Sequence, residues 1–228
     1  MSFSGNIKEE LAGHHAKARH CNLAELSALV EMAGAFRETE SGVCRLAIHT
    51  ENLRVARKGF TLLQKTFNIR TDIVVRRNTV KGSSSYHIYA RGEELLAVRQ
   101  AIVQAVCCKR AYIRGAFLAS GSMSDPSKSY HFEIVCEKER QAEHLKQMIN
   151  SFGLDAKIVK RKKAYVVYLK EGEQIVDILN VMEAHKALME LENVRILKEM
   201  RSSVNRKVNC ETANINKTVS AAVKQKED

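Results

Sequence analysis

Between residues 44 and 50 (CRLAIHT) apolar and polar positions alternate, the period of a strand with one buried face. From 51 to 67 the period lengthens. Val55, Ala56, Phe60, Leu63 and Phe67 fall near helical spacing, and Asn68 is a residue type that ends helices in a left-handed conformation. Residues 69–77 (IRTDIVVRR) predict a strand, 78–85 (NTVKGSSS) a turn-rich connection, and 86–91 (YHIYAR) the returning strand. Residues 92–106 (GEELLAVRQAIVQAV) predict a helix whose acidic first turn suits the helix dipole.

The same order then returns. Residues 130–136 (YHFEIVC) predict a strand. Across 137–152, Ala142, Leu145, Met148, Ile149 and Phe152 share one helical face, and the pattern stops at Gly153. Residues 154–161 and 164–170 predict two strands about a tight Lys162-Lys163 turn, and 171–182 a closing helix with an acidic start. Leu46 and Ile48 correspond to Phe132 and Ile134 at an offset of 86. Phe67, Ile69 and Ile73 correspond to Phe152, Leu154 and Ile158 at 85, and Tyr86 and Tyr89 to Tyr165 and Tyr168 at 79, the first hairpin loop being longer. Such a period exceeds the roughly 20–50 residues of a solenoid unit. It predicts a two-fold pseudo-repeat, with like elements of one chain meeting at a pseudo-dyad as in a symmetric dimer.

A helix rich in small residues opens each repeat. One holds Ala24, Ala28, Ala33, Gly34 and Ala35, the other Ala111, Gly115, Ala116, Ala119 and Gly121. Asn22 with Glu25 three residues on predicts a capping-box start for the first. Glycine inside a helix costs about 1 kcal/mol relative to alanine. Gly115 therefore needs a reason, and close approach of two helix backbones supplies one. Ala28, Gly34, Gly115 and Gly121 are the candidate positions for packing between the repeats.

Composition narrows the class. The 228 residues are 45% hydrophobic and 28% charged, enough for an ordinary globular core. No apolar run approaches the length of a membrane span, and the opening MSFSGNIKEELAG has no signal-peptide core. Cys21, Cys44, Cys107, Cys108, Cys136 and Cys210 form no CxxC pair and predict small buried thiols in a reducing cytoplasm. His14, His15 and His20 predict a solvated helix face; no metal or cofactor is expected. The net charge of +11 points to a polyanionic partner. Arg70, Arg76, Arg77, Lys81 and Arg91 in the first hairpin, and Lys157, Lys160, Arg161, Lys162, Lys163 and Lys170 in the second, occupy equivalent places from which a sheet could follow phosphates. The recurring tyrosines 86, 89, 165 and 168 are read as packing residues rather than base-stacking platforms.

LSALVEMAG (26–34) and IRGAFLASG (113–121) resemble two copies of the LAGLIDADG helix of homing endonucleases. Leu26, Leu29 and Gly34 agree in the first copy, and Gly115, Ala119 and Gly121 in the second. The resemblance implies an α+β fold of two pseudo-symmetric αββαββα-type halves with mixed or antiparallel sheets around the paired helices, each sheet forming half of a DNA-binding saddle. It also implies that an acid just before each final glycine would hold divalent metal ions that activate water. Those positions are Ala33 and Ser120, and neither offers the carboxylate oxygen a hard cation needs. No nuclease activity is expected. Glu31, roughly 200° around the helix from Ala33, and Asp125, beyond the second helix, would have to substitute in the alternative reading, an active endonuclease with displaced acids. A third reading is a protein-interaction scaffold with no DNA role.

CCKRAYIRGAFLASGSMSDPSKSYHFEIV (107–135) and ENVRILKEMRSSVNRKVNCETANINKT (192–218) are similar to the WhiA family, bacterial regulators of sporulation and cell division, and the likeness covers essentially the whole chain. It implies a degenerate LAGLIDADG domain followed by a helix-turn-helix. The partners implied are double-stranded DNA and other transcription regulators, in a cytoplasmic, nucleoid-associated setting with no membrane role. The organisation expected is an N-terminal arm and first repeat over 1–106, a second repeat over 107–183, and a helical segment over 184–228. That segment leads toward a helix-turn-helix that is itself expected to be missing, since the sequence stops at AAVKQKED. Leu188, Leu191, Val194, Leu197 and Met200 keep a helical rhythm to about residue 201. The Asn-, Ser- and Thr-rich stretch beyond predicts caps or a bend, with Asn205, Asn209, Asn214 and Asn216 either holding helix ends or touching adenine edges.

Overall fold

The computed structural model describes residues 2–39, 43–79 and 82–227; Lys81 lies outside them. Two compact units are present, Met1–Leu188 and Met189–Asp228. The first begins with α1 (Phe3–Gly13). Ser2 caps it, its hydroxyl accepting from the Gly5 N–H at 3.1 Å, and Phe3, Ile7 and Leu11 are buried at four-residue spacing. No element is predicted there from the sequence, although the cap and the spacing carry the signal.

The first repeat runs α2 (Arg19–Ala33), β1 (Gly34–Glu38), β2 (Cys44–Thr50), α3 (Leu53–Phe67), β3 (Thr71–Asn78) and β4 (Ser83–Gly92), closed by the short α4 (Leu96–Arg99). The second runs α5 (Val106–Ser120), β5 (Gly121–Met123), β6 (Phe132–Cys136), α6 (Glu139–Asn150), β7 (Lys157–Arg161), β8 (Ala164–Leu169) and α7 (Gly172–Met182). Both sheets are antiparallel, ordered β1-β2-β4-β3 and β5-β6-β8-β7. The registers agree as well. Gly34 faces Ile48, Ile48 faces Ile88 and Ile88 faces Ile73; Gly121 faces Ile134, Ile134 faces Val167 and Val167 faces Ile158. Asn52 caps α3 through the Arg54 N–H, and Asn68 ends that helix in the left-handed region at φ 53°.

Several expectations are corrected. The helix expected over 92–106 stops at Arg99, after a 3-10 turn at 93–95. Only Leu95 and Val98 of those two short elements are buried, while Ile102 is 75% exposed, so packing does not carry the helix on. Strands β1 and β5 follow each motif glycine at once, where no strand is predicted. Asn22 and Glu25 do not cap α2, which starts at Arg19 after an uncapped Ala18; both lie buried inside it. His14 and His15 sit between α1 and α2 while His20 is in the first turn of α2, so the three share no helix face. Cys107 and Cys210 are exposed, and the other four cysteines are buried.

Helix α8 (His185–Glu227) starts at the end of the first unit and forms the second. No bend interrupts it near residue 201. At least one of its polar side chains bonds back along the helix: Thr218 Oγ1 donates to the Asn214 carbonyl at 2.9 Å. Among the described residues no helix is long and apolar enough to cross a membrane.

Candidate nucleic-acid interface

Helices α2 and α5 pack along each other and form the seam between the repeats. A Cβ on Gly115 would lie 2.3 Å from the Glu25 carbonyl oxygen and 3.0 Å from Ala28 Cβ. Ala28 and Gly115, in contact across the seam, are equivalent positions, each six residues before its motif glycine. Gly34 and Gly121 answer a different need from the one expected. The atoms nearest a Cβ at Gly34 are Val30 O at 2.7 Å and Ala47 O at 2.8 Å, and at Gly121 the Phe117 ring at 2.3 Å. Both glycines let a helix turn sharply into its own strand.

The seam is not wholly apolar. Glu25, fully buried, lies 3.1 Å from Lys58 Nζ and 3.3 Å from Arg114 Nε. Arg114 Nη1 contacts Glu183 at 2.6 Å, His14 Nε2 lies 2.9 Å from the same carboxylate, and Lys58 also donates to the His14 carbonyl. Two acids thus balance two bases contributed by both repeats. Burial, with the Arg114 charge behind it, lowers the His14 pKa against the opposing pull of Glu183 and Glu25. The unfolded chain then takes up the proton more readily than the fold. Stability should fall as pH drops below about 6.5, the value for a free imidazole. Urea midpoints at pH 7.5, 6.5 and 5.5 check this, and His14→Gln should shallow the decline.

At the ends of the seam helices, the family's acid positions hold Ala33 and Ser120, whose hydroxyl lies 3.5 Å from its own helix carbonyl at Ala116. The displaced acids are otherwise engaged. Glu31 accepts from the Tyr112 hydroxyl at 2.5 Å, and burial followed by that carboxylate keeps Tyr112 protonated. Asp125 accepts from the Ser127 N–H at 2.8 Å and hydroxyl at 2.6 Å, capping its own turn.

The sheets carry the charge. Residues facing each other across an antiparallel pair project to one side. In the first sheet Leu46, Ile48 and Ile88 are buried toward the helices, which leaves Arg37, Arg45, His49, Arg76, His87, Tyr89 and Arg91 on the open face. Arg37 stands opposite Arg45, and Arg45 opposite Arg91: three exposed guanidiniums in one row across three strands. No carboxylate among the described residues is in ion-pair contact with them. Like charges directly opposite destabilise a sheet. The row borders a broad concavity that also includes Arg70 and Tyr89 and the carboxylates of Asp72, Glu93 and Glu94.

The sequence-predicted residues divide. Arg76 and Arg91 lie on the open face, but Arg77 projects to the other side, and Arg70 sits 3.7 Å from Asp72. In the second sheet Lys157 and Arg161 share the open face while Lys160 projects away, over the Tyr165 ring at 5.4 Å. Lys162, at φ 55°, and Lys163 form the hairpin turn. Arg161 is held by Glu133 at 2.9 Å, and Lys157 pairs with Asp155 at 3.5 Å. Burial alone would raise the Glu133 pKa, but His131, Ser122 and Arg161 hold it below the usual carboxylate range. Tyr86 and Tyr165 pack on the helix side, whereas Tyr89 and Tyr168 lie on the open faces, contrary to the packing expectation. Arg37 and Arg45 are absent from the sequence-based set.

Two sheet-bearing repeats about a seam of small-residue helices, with no carboxylate at the motif's acid positions, define a degenerate single-chain LAGLIDADG fold. Residues 19–99 match the WhiA N-terminal LAGLIDADG-like domain, 109–201 the WhiA LAGLIDADG-like domain, and 204–228 the WhiA C-terminal HTH domain. A protein of Lachnoclostridium phytofermentans named "Probable cell division protein WhiA" is 52% identical over 250 residues, spanning 100% of this chain and 80% of its own length. Its namesake from Alkaliphilus oremlandii is 47% identical over 100% and 78%. The chain belongs to the WhiA family. The structure of full-length DUF199/WhiA from Thermatoga maritima superposes with a TM-score of 0.81 at 23% identity, over 96% of this chain and 75% of that one. I-DmoI in complex with DNA and Mn gives 0.55 at 13% identity, over 72% and 98%. The match at 204–228 corrects the expectation of a missing helix-turn-helix: the Asn-rich stretch predicted to form caps or a bend is part of that match.

Proposed function

We propose that this chain is a non-catalytic DNA-binding regulator acting in cell division and sporulation, in the cytoplasm and on the nucleoid. The arginine row on the first sheet grips duplex phosphates, alongside the C-terminal helix-turn-helix region. The observation that carries this reading is the row itself: three like charges held face to face with no ion-paired carboxylate among the described residues. The relatives' name, the helix-turn-helix match and the DNA held by a protein of the same fold support it. We take the functional division as 1–106, 107–183 and 184–228, the last segment including the residues that match the helix-turn-helix domain. Of the basic residues in the two hairpins, Arg91 is part of the row and Arg76 shares its face. Lys157, Lys160, Arg161, Lys162 and Lys163 contribute less, since Glu133 and Asp155 already hold two of them.

Duplex binding across a salt series tests this. Arg37→Ala with Arg45→Ala and Arg91→Ala should flatten the log–log salt slope by roughly 2–3, at about 0.9 for each phosphate that is no longer neutralised. Replacing 160–163 by alanine should flatten it less. The opposite ranking would move the grip to the second hairpin, and an unchanged slope in both would favour a scaffold role. Supercoiled plasmid with Mg²⁺ in the same series should stay intact.

A further inference from the structure

His20 and Cys21 in the first turn of α2, and Cys107 and Cys108 in the first turn of α5, bring one nitrogen and three sulfurs within 4.8 Å of one another. His20 Nδ1 is 3.2 Å from Cys108 Sγ and 3.4 Å from Cys21 Sγ. We propose that these four side chains bind a single zinc ion, clamping the N-terminal ends of the two seam helices together. The expectation of no metal site rests on sequence spacing. The two pairs lie 86 to 88 residues apart along the chain, and only the pairing of α2 with α5 joins them.

The donor set fits the ion. Three thiolates and an imidazole form a tetrahedral set found in closed structural zinc sites, and thiolates select zinc over magnesium or calcium. Zinc–sulfur bonds of about 2.3 Å and zinc–nitrogen bonds of about 2.0 Å place tetrahedral ligands roughly 3.5–4 Å apart, close to the separations already present. The arrangement follows the pseudo-dyad: Cys21 and Cys108 occupy the third position of their helices, His20 and Cys107 the second. A zinc ion with three thiolates is anionic, and it would sit where two helix dipoles present their positive ends. Neither helix has a side-chain cap, so first-turn N–H groups remain for the sulfurs. Cys21 and Cys108 are buried while His20 and Cys107 are exposed, which gives the ion a way in. Ala33 and Ser120 lie at the far ends of the same helices, roughly 20 Å away at 1.5 Å per residue, so this site is separate from the family's DNA-cleaving metal position.

The test is titration of the reduced, metal-free chain with Co²⁺ and then Zn²⁺. One equivalent of Co²⁺ should produce the intense ligand-field and thiolate charge-transfer bands of a tetrahedral sulfur-rich site. Zn²⁺ should bleach them and raise the melting temperature. Cys107→Ser and His20→Ala change exposed positions, so the fold should persist by circular dichroism. Each should weaken binding more than about 100-fold, beyond the ~10–100-fold typical for losing an outer-shell partner. A folded chain without tetrahedral bands would overturn the proposal. So would bands that survive the double change Cys107→Ser and Cys108→Ser, or a cluster that instead forms a disulfide and takes up no metal after reduction.

Discussion

Replacing Glu25 with alanine should destabilise the first unit by about 3–5 kcal/mol, because it strands Lys58 as an uncompensated buried cation and leaves Arg114 with Glu183 alone. At roughly 2–4 °C per kcal/mol for a unit of this size, the melting temperature should fall by about 6–20 °C. Thermal melts of the variant measure it directly. The cost is that of breaking a network, not of lacking one. Changing all three charges together, with Glu25→Leu, Lys58→Met and Arg114→Met, should recover most of the loss, since well-packed apolar replacements of buried ion clusters are often neutral or stabilising. A single-variant loss below about 1 kcal/mol, the range of exposed ion pairs, would mean that water reaches this part of the seam.

The second large effect belongs to Gly115. An alanine there improves helix propensity by about 1 kcal/mol, yet its Cβ would lie 2.3 Å from a backbone carbonyl oxygen of the facing helix. A carbonyl inside a helix cannot swing aside as a side chain can, so the two helices must separate along the seam. Overpacking of this kind costs about 1–3 kcal/mol, and with so close a backbone contact the net outcome should be destabilisation of about 1–2 kcal/mol. Gly13→Ala is the control, because nothing lies within 4 Å of a Cβ at that position. Equal stability of the two variants would show that the seam has slack.

The repeat and the helix seam were legible because both rest on local periodicity. Strand β2 and helix α3, with its Asn68 terminus, could be read from apolar spacing alone, and Gly115 stood out as a glycine inside a helix. What was not legible depends on register or on burial of charge. Arg37, Arg45 and Arg91 become neighbours only because β1 pairs with β2 and β2 with β4, and GAFRE has too few apolar positions to predict a strand. Glu25, Lys58 and Arg114 look like surface residues until three helices close over them. Helix α8 was legible to about residue 201; its unbroken continuation was not, because Asn, Ser and Thr favour turns on average, whereas here Thr218 bonds back along its own helix.

The arginine row has no counterpart in the second sheet, whose open face carries Val135 and Val159 beside the Glu133–Arg161 pair. A homodimer with this architecture would meet a duplex identically from either direction. Here the two halves differ, and under the proposed DNA grip the stronger hold on the backbone lies at one flank. A complex formed in that way would have a head and a tail. The protein can settle on a site in one orientation, and a binding sequence need not be palindromic for that orientation to be set.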